Sequence, residues 1–478
     1  MAATDRAAPA AGPWRDLIRK DYATYSAIVL LGTLLHALQI LVISIVMPTI
    51  VADLGGAVYY AWTAIVYTVG SIVGAATVEP ITRAVGRRVG YVAVAVVFML
   101  STAGCALAPD IFTLIAARGI QGFAGGLIIG ASMALIGVLF PPHLRARILA
   151  AYQGVWMFAQ LLGPVFGGAF AEFGWWRGSF WSLIPFIACY AALIWWKVPD
   201  TQPRQGEHGG GFPFFRLTVL TAGVIAVAAA GPIDDTALRA ILIVAAIALV
   251  WTTFRLDRTA RTPLFPTRTL SLSAVVGLGL LIHFLVGSVQ TSITLFVPLL
   301  LQVFHGVPPI YVSFVSIVLS LGWTVGTFMV NGWTGSRERL ALWWGPVIVV
   351  LGLALMTATT TAPGLVLLTV AAFLVGFGVG IHNVHLITRT IARADPGEEG
   401  LTAASLPSVR SLGTAFGAAL AGMLTAIAGF DDTMTRDSVG DAVTFVFGVN
   451  LVPAVLMVLL MFRLLAVDTG SSRQGEAA

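Results

Sequence analysis

A few polar side chains stand at helical spacing inside otherwise apolar runs, and these are the residues that could do chemistry. Arg118 and Gln121 lie three apart among apolar residues and glycines in Ile111–Gly130. His36 and Gln39 are also three apart, and so share one face of a helix. His283, Gly287, Gln290 and Thr294 follow one face of a further run, and His382, Asn383 and His385 group in another. Gln160 precedes the pair Gly163-Pro164, which is followed by Gly167-Gly168. An arginine in the middle of an apolar span is disfavoured by about 2.5–3.5 kcal/mol on insertion scales, so it marks a pathway or a partner. Histidine titrates near neutral pH, which makes His36 or His283 a candidate for carrying a proton. For each histidine taken alone, the simpler reading is a neutral ring hydrogen-bonded to a neighbouring helix. Arg118 has a similar alternative, in bonds to backbone carbonyls.

Other chemistries find no residue set. His382 and His385 lack an acidic or cysteine companion, so no metal site is expected. Cys105 and Cys189 both fall in apolar runs and read as buried small residues. The Gly-Phe-Ala-Gly-Gly run at 122–126 has no following Gly-Lys-Ser and is not a phosphate loop. No nucleophile–base set stands out, so neither an enzyme nor a cofactor is expected.

The elements that must position these residues are membrane helices. The chain has 478 residues, 58% hydrophobic and 10% charged, against about 25% charged in soluble domains. The hydropathy pattern predicts an all-α polytopic membrane protein with fourteen transmembrane helices, near 26–50, 57–79, 89–108, 112–139, 147–171, 178–197, 215–233, 237–254, 273–303, 309–331, 341–360, 363–387, 401–429 and 441–465. The first run is too long for a signal-peptide core and lacks a clear cleavage site, so it reads as a retained span.

Charge tests that count. With the amino terminus inside, 22 of the 27 Lys and Arg fall in cytoplasmic segments, from Arg6 to Arg473. Three fall outside (Arg177, Arg239 and Arg436), and Arg118 and Arg410 lie within or near spans. This bias predicts both termini on the cytoplasmic side of a cell membrane, as in a bacterial inner membrane. It also accounts for the basic balance without nucleic acid. Trp175-Trp176, Trp195-Trp196 and Trp343-Trp344 fall at predicted span ends, where an aromatic belt is expected.

An internal repeat runs through the pattern. Pro48 is followed by Gly70 and Gly74, and Pro298 by Gly322 and Gly326, with a basic turn after each pair (Arg83–Arg88 and Arg337–Arg339). This predicts two six-helix pseudo-repeats around a midplane site. The expected divisions are a cytoplasmic segment 1–25, a six-helix bundle 26–197, linkers with two inserted helices 198–272, a second bundle 273–465 and a cytoplasmic tail 466–478. The inserted helices carry few polar residues and are expected to be peripheral. One linker holds Gly209-Gly210-Gly211.

The motifs resemble those of a known family. Arg118-Gly-Ile-Gln-Gly-Phe-Ala-Gly-Gly126 resembles the fourth-helix motif of the major facilitator superfamily, and Gly163-Pro-Val-Phe-Gly-Gly168 the fifth-helix motif of its antiporters. Trp176-Arg177 and Phe180 match the turn that follows. The whole chain looks like the fourteen-span drug:proton antiporter family. That resemblance implies a secondary transporter that exports a drug-like or metabolite substrate in exchange for protons. It places Gly163, Pro164, Gly167 and Gly168 in a conformational role, and Glu79, Arg83, Arg87 and Arg88 at a cytoplasmic gate.

Two departures stand against the family pattern. The loop after the second span usually reads Gly-x-Leu-Ala-Asp-Arg-x-Gly-Arg-Arg. Here Glu79 replaces its first glycine and Arg83 its aspartate. Glu79 and Arg83, four apart, could pair on a helix face. The first span usually carries an aspartate where this chain has Gln39, which cannot titrate. With no Asp or Glu deep in any span, the expected substrate is neutral or anionic, and Arg118 could serve an anion. The expected partners are a small-molecule substrate, protons subject to this departure, and the lipid bilayer, with the protein a monomer. A proton-independent facilitator or exchanger, and a non-transporting scaffold or sensor, are the alternatives. In a transporter, His36, Gln39, His283, Gln290 and Asn383 should converge.

Overall fold

The computed structural model describes residues 13–19, 22–200, 214–233, 235–260, 263–430 and 433–476, with side chains through 468. The described residues form helices and no strand. Thirteen helices are long and apolar enough to cross a membrane: α1 (Ala23–Leu54), α2 (Ala57–Val85), α3 (Arg87–Leu107), α4 (Ile111–Leu139), α5 (Pro142–Glu172), α6 (Gly178–Lys197), α8 (Thr236–Arg258), α9 (Val275–Phe304), α10 (Pro309–Val330), α11 (Ser336–Thr359), α12 (Val366–Ala392), α13 (Glu399–Ile427) and α14 (Arg436–Asp468). A shorter apolar helix, α7 (Phe214–Ala229), has 16 residues and completes the series of fourteen. It stops short of the predicted 233 because Gly231 and Pro232 break the helix.

Local chemistry sets several boundaries. Asp110 caps α4, accepting from the Thr113 backbone N–H at 2.9 Å and from its hydroxyl at 2.7 Å. Those two bonds hold the Asp110 carboxyl below its ordinary range. Asp235 caps α8 through the N–H groups of Ala237 and Leu238. In α9, Pro298 offers no N–H, and the helix closes in a π turn over Leu300–Phe304.

Packing is driven by glycines, as expected where lipid removes the hydrophobic drive between helices. A Cβ on Gly74 would lie 2.0 Å from the Phe123 carbonyl oxygen, and one on Gly126 would lie 2.0 Å from that of Ser71, so α2 and α4 touch backbone to backbone. The same crossing recurs between α10 and α12. There a Cβ on Gly326 would lie 2.5 Å from the Phe377 carbonyl oxygen, and one on Gly380 would lie 2.2 Å from that of Trp323. α1 and α9 sit innermost, with 72% and 78% of their apolar windows buried, whereas α8 at 11% faces outward.

Several expectations change. Trp176 is only 2% exposed. It donates through Nε1 to Asp53 at 3.1 Å instead of joining an aromatic belt. Trp175, Trp195 and Trp196 are exposed. The inserted helices carry a buried ion pair, Arg216–Asp257. The Asp257 carboxylate also accepts the N–H groups of Leu264 and Phe265. α7 packs on both α2 and α13. The final helix continues to Glu476, into the expected tail. Arg6, Lys20, Arg204, Arg261 and Gly209–Gly211 lie outside the described residues, as does the side chain of Arg473.

Candidate functional site

Four predicted residues come together on α1 and α4. Arg118 is fully buried. Its Nη1 donates to Gln121 Oε1 at 2.6 Å and to Gln39 Oε1 at 3.4 Å. Its Nη2 donates to the Gln39 carbonyl at 3.3 Å, and its Nε to the Thr63 carbonyl at 3.4 Å. The guanidinium carbon lies 4.1 Å from the centre of the Tyr67 ring, a cation–π contact. Gln121 passes its amide N–H on to Thr102 at 2.9 Å. His36 joins through Tyr67, whose hydroxyl lies 3.0 Å from His36 Nδ1. Gly125 makes room for that pair, since a Cβ there would lie 2.7 Å from the Tyr67 hydroxyl and 2.8 Å from His36 Nδ1.

A second cluster forms on α9, α12 and α13. Gln290 accepts at Oε1 from Arg410 Nη2 at 2.7 Å. The Arg410 guanidinium carbon lies 4.4 Å from the centre of the Trp323 ring. His283 and His382 place Nδ1 against the carbonyls of Gly279 and Gly378, at 3.3 and 2.8 Å. Gly287, one turn from His283 on the same face of α9, packs on α13 at Arg410, since a Cβ there would lie 2.4 Å from the Arg410 carbonyl oxygen. Each cluster is therefore an arginine over an aromatic ring, held by glutamine and accompanied by histidine.

The two sets of helices meet through backbone-directed contacts. Ser313 of α10 donates to the Pro164 carbonyl at 2.6 Å. A Cβ on Gly168 would lie 2.1 Å from Ser313 Oγ. Gly163 and Gly167 face α1, at Leu41, Val42 and Ile45. Gln302 donates to the Ile45 carbonyl at 2.9 Å and Tyr60 to that of Leu295 at 3.2 Å. These contacts gather toward the arginine-poor end of the bundle.

At the arginine-rich end, Glu79 and Arg83 pair on an exposed helix face, where such a pair contributes little. Arg88 Nε donates to the Val198 carbonyl at 2.8 Å, tying α3 to the end of α6, and Arg87 lies beside it at the start of α3. The carboxy-terminal helices carry a denser set. Arg389 meets Glu338 at 2.7 Å and Asp468 at 3.0 Å, and Arg393 meets Asp468 at 2.7 Å.

The remaining predicted residues join neither cluster by hydrogen bonds. Gln160 stays partly exposed on α5. Asn383 is buried, with no hydrogen-bond partner for Oδ1 among the described residues. Sequence reasoning missed Tyr67, Trp323, Arg410 and the Glu338–Arg389–Asp468 set. The sequence does carry signals for two of them. Arg410 is the second arginine inside a span, and Glu338 sits in the repeated basic turn. Among the described residues there is no group of three or more His, Cys, Asp or Glu placed to hold a metal ion.

Comparisons with known proteins agree with this architecture. A family model described as Major Facilitator Superfamily matches residues 29–411. The chain is 31% identical over 430 residues to a probable multidrug-efflux transporter of Mycobacterium tuberculosis, covering 86% of this chain and 89% of that protein. It is 23% identical over 403 residues to multidrug resistance protein 3 of Bacillus subtilis, covering 82% and 77%. Among solved structures, a D-xylose-proton symporter superposes with a TM-score of 0.63 at 17% identity, over 92% of this chain and 97% of the other. A bacterial homologue of the human lysosomal transporter Spinster gives 0.64 at 15% identity, over 96% and 98%.

Proposed function

The chain belongs to the Major Facilitator Superfamily, and on that premise we propose that it exports small amphipathic, drug-like or metabolite molecules by alternating access. The observation that carries this reading is the pair of arginine-centred clusters, one on α1 and α4 and one on α9, α12 and α13. Polar groups inside a membrane bundle are unfavourable and are kept where a solute or ion passes. The relatives named for multidrug efflux support export as the direction. The 22-to-3 charge bias supports cytoplasmic termini in a bacterial inner membrane. The protein acts as a monomer in this reading. Gly168 and Ser313 close one end of the path, and rocking of the helices separates them.

Protons are the proposed coupling ion, exchanged on histidine. One observation favours a second reading, a proton-independent exchanger or facilitator: Gln39 stands where the family carries a titratable aspartate. Everted membrane vesicles separate the two. An acid interior is established, a panel of lipophilic drugs is added, and collapse of the pH gradient is followed against empty-vector vesicles. Substrate-dependent collapse, lost in His36→Ala or His283→Ala, is the expected result. Uptake of radiolabelled substrate without collapse would leave the second reading. No flux of either kind would refute transport of these compounds.

A further inference from the structure

The two inserted helices, α7 and α8, meet the two six-helix bundles through different kinds of contact. At the arginine-rich end, residues 263–274 leave α8 and cross the base of the carboxy-terminal bundle, tied down along the way. Asp257, paired with Arg216 of α7, accepts the N–H groups of Leu264 and Phe265, each at 3.0 Å. The Thr267 N–H donates to the Glu398 carboxylate at 3.1 Å, and the Thr267 hydroxyl donates to it as well. Arg268 pairs with Asp395 at 3.0 Å. Asp395 and Glu398 belong to the turn between α12 and α13. Arg463 of α14 donates through Nε to the Leu272 carbonyl at 2.6 Å. The chain then folds back on α9, where a Cβ on Gly277 would lie 2.3 Å from the Ser271 carbonyl oxygen.

Packing within the membrane favours the same bundle. Phe265 is buried in one apolar cluster with Leu220 of α7, Val276 and Leu280 of α9, and Val409 and Leu412 of α13. At the arginine-poor end, a Cβ on Gly231, just past α7, would lie 3.3 Å from Met423 Cα and 3.5 Å from the Gly422 carbonyl oxygen, both on α13. α7 is thus fixed to the carboxy-terminal bundle at both ends. Its contact with the amino-terminal bundle is apolar: Val69 and Ile72 of α2 face Leu217, Leu220 and Val224 of α7 around a small gap where α2, α7 and α13 meet. Dispersion contacts of this kind have no preferred direction and re-form when packed helices slide. Charge-assisted hydrogen bonds are directional and about twice as strong as neutral ones, so displacement from the carboxy-terminal bundle costs more.

We propose that α7 and α8 move as one body with α9–α14, and that α2 slides along α7 when the two halves rock, so that α7 keeps the α2–α13 seam covered against lipid throughout the cycle. The proposal rests on the alternating-access reading and gives the inserted helices a part in it. The seam lies between the two bundles, so its width changes as they rock. Left bare, a widening seam would turn the buried polar groups of the bundle toward hydrocarbon, where nothing hydrogen-bonds them. A cover fixed to one wall and sliding on the other prevents this without resisting the motion.

The test links pairs of cysteines in the full-length protein, in a background with Cys105→Ala and Cys189→Ala. Gly231→Cys with Met423→Cys joins α7 to α13, and Ile72→Cys with Leu220→Cys joins α7 to α2. Each pair is bridged by the same short bis-methanethiosulfonate and freed again by reductant, and flux of the lipophilic-drug panel is followed in everted vesicles. The α7–α13 bridge is expected to leave flux unchanged. The α7–α2 bridge is expected to abolish it, with recovery in reductant. The reverse pattern, loss of flux with both bridges, or loss with neither overturns the proposal, as does failure of the Gly231→Cys and Met423→Cys pair to bridge. A second measurement needs neither substrate nor those four substitutions. Electron–electron double resonance on the purified protein in detergent uses nitroxides at exposed helix ends, Leu238→Cys of α8 paired either with Val366→Cys of α12 or with Phe112→Cys of α4. The distance distribution from Leu238→Cys to Val366→Cys is expected to be the narrower of the two. One as broad as that to Phe112→Cys, or broader, overturns the proposal. Failure of the transporter reading looks different: no flux of any drug from the unsubstituted protein, with the narrow distribution still on the α12 side.

Discussion

The hydroxyl of Ser313 donates to the carbonyl oxygen of Pro164 at 2.6 Å, from one set of six helices to the other. One turn further along α5, Gly168 leaves the space that this contact needs. A Cβ there would lie 2.1 Å from Ser313 Oγ and 2.9 Å from the Pro309 carbonyl oxygen. The side chain of Ser313 could rotate away, but the backbone of α10 could not. Gly168→Ala should therefore part α5 from α10, at an overpacking cost of about 1–3 kcal/mol. The check is thiol labelling of Ile310→Cys at this junction. Labelling should rise in the Gly168→Ala background, and unchanged labelling would show that the glycine does not hold the junction shut.

Arg118 is expected to act as a structural centre. Arg118→Lys replaces a forked donor by a single ammonium that cannot reach the Gln39, Thr63 and Gln121 acceptors together. The loss should be at least about 2 kcal/mol, seen as a lower melting temperature in detergent. Transport should fall alike for neutral and anionic substrates. A loss confined to anions would instead make Arg118 a substrate ligand.

The His36–Tyr67 pair and Gly125 should behave as one unit. Tyr67→Phe removes the hydroxyl partner of His36, for a cost of about 0.6–1.7 kcal/mol on membrane double-mutant scales. Gly125→Ala pushes a methyl into both groups and should cost more, about 1–3 kcal/mol. Combined, the two changes should be less than additive, because the Tyr67→Phe ring lacks the hydroxyl that the new methyl would meet. Melting temperatures of the four proteins measure this, and strict additivity would show that the glycine serves another contact.

The inserted helices should depend on their ion pair. The side chains of Arg216 and Asp257 are 9% and 3% exposed. Arg216→Met strands a buried carboxylate and should destabilise by roughly 3–5 kcal/mol. Adding Asp257→Asn should restore part of that, since the amide oxygen still accepts from Leu264 and Phe265 while the stranded charge is gone. Limited proteolysis of the 259–272 connection reads the local effect. Equal cleavage of all variants would mean that the pair does not hold the hairpin.

Much of the fold was legible because a bilayer allows the chain few choices. Apolar runs of membrane length must be helices, since every backbone group has to be satisfied within its own segment. Arg118, Gln121, His36 and Gln39 could be singled out because polar side chains stand out against such runs. Gly163, Gly167 and Gly168 could be singled out because they resemble the fifth-helix motif of the family. Trp176 was misread because its position at a span end suited a belt, and nothing local reveals that Asp53 lies within reach. Glu338 sat in the open beside Arg337 and Arg339, yet its partners Arg389 and Asp468 belong to other helices.

Hydropathy and charge along the chain were enough for the number and approximate extent of the helices, and for the two arginines that would lie within them. They could not tell which acceptors each arginine would find. Arg118 meets Gln39 across 79 positions, and Arg410 meets Gln290 across 120. Whether those side chains meet depends on how each helix is rotated about its axis against its neighbour. Glycine-to-backbone contacts set that rotation, and they exist only once the helices have packed.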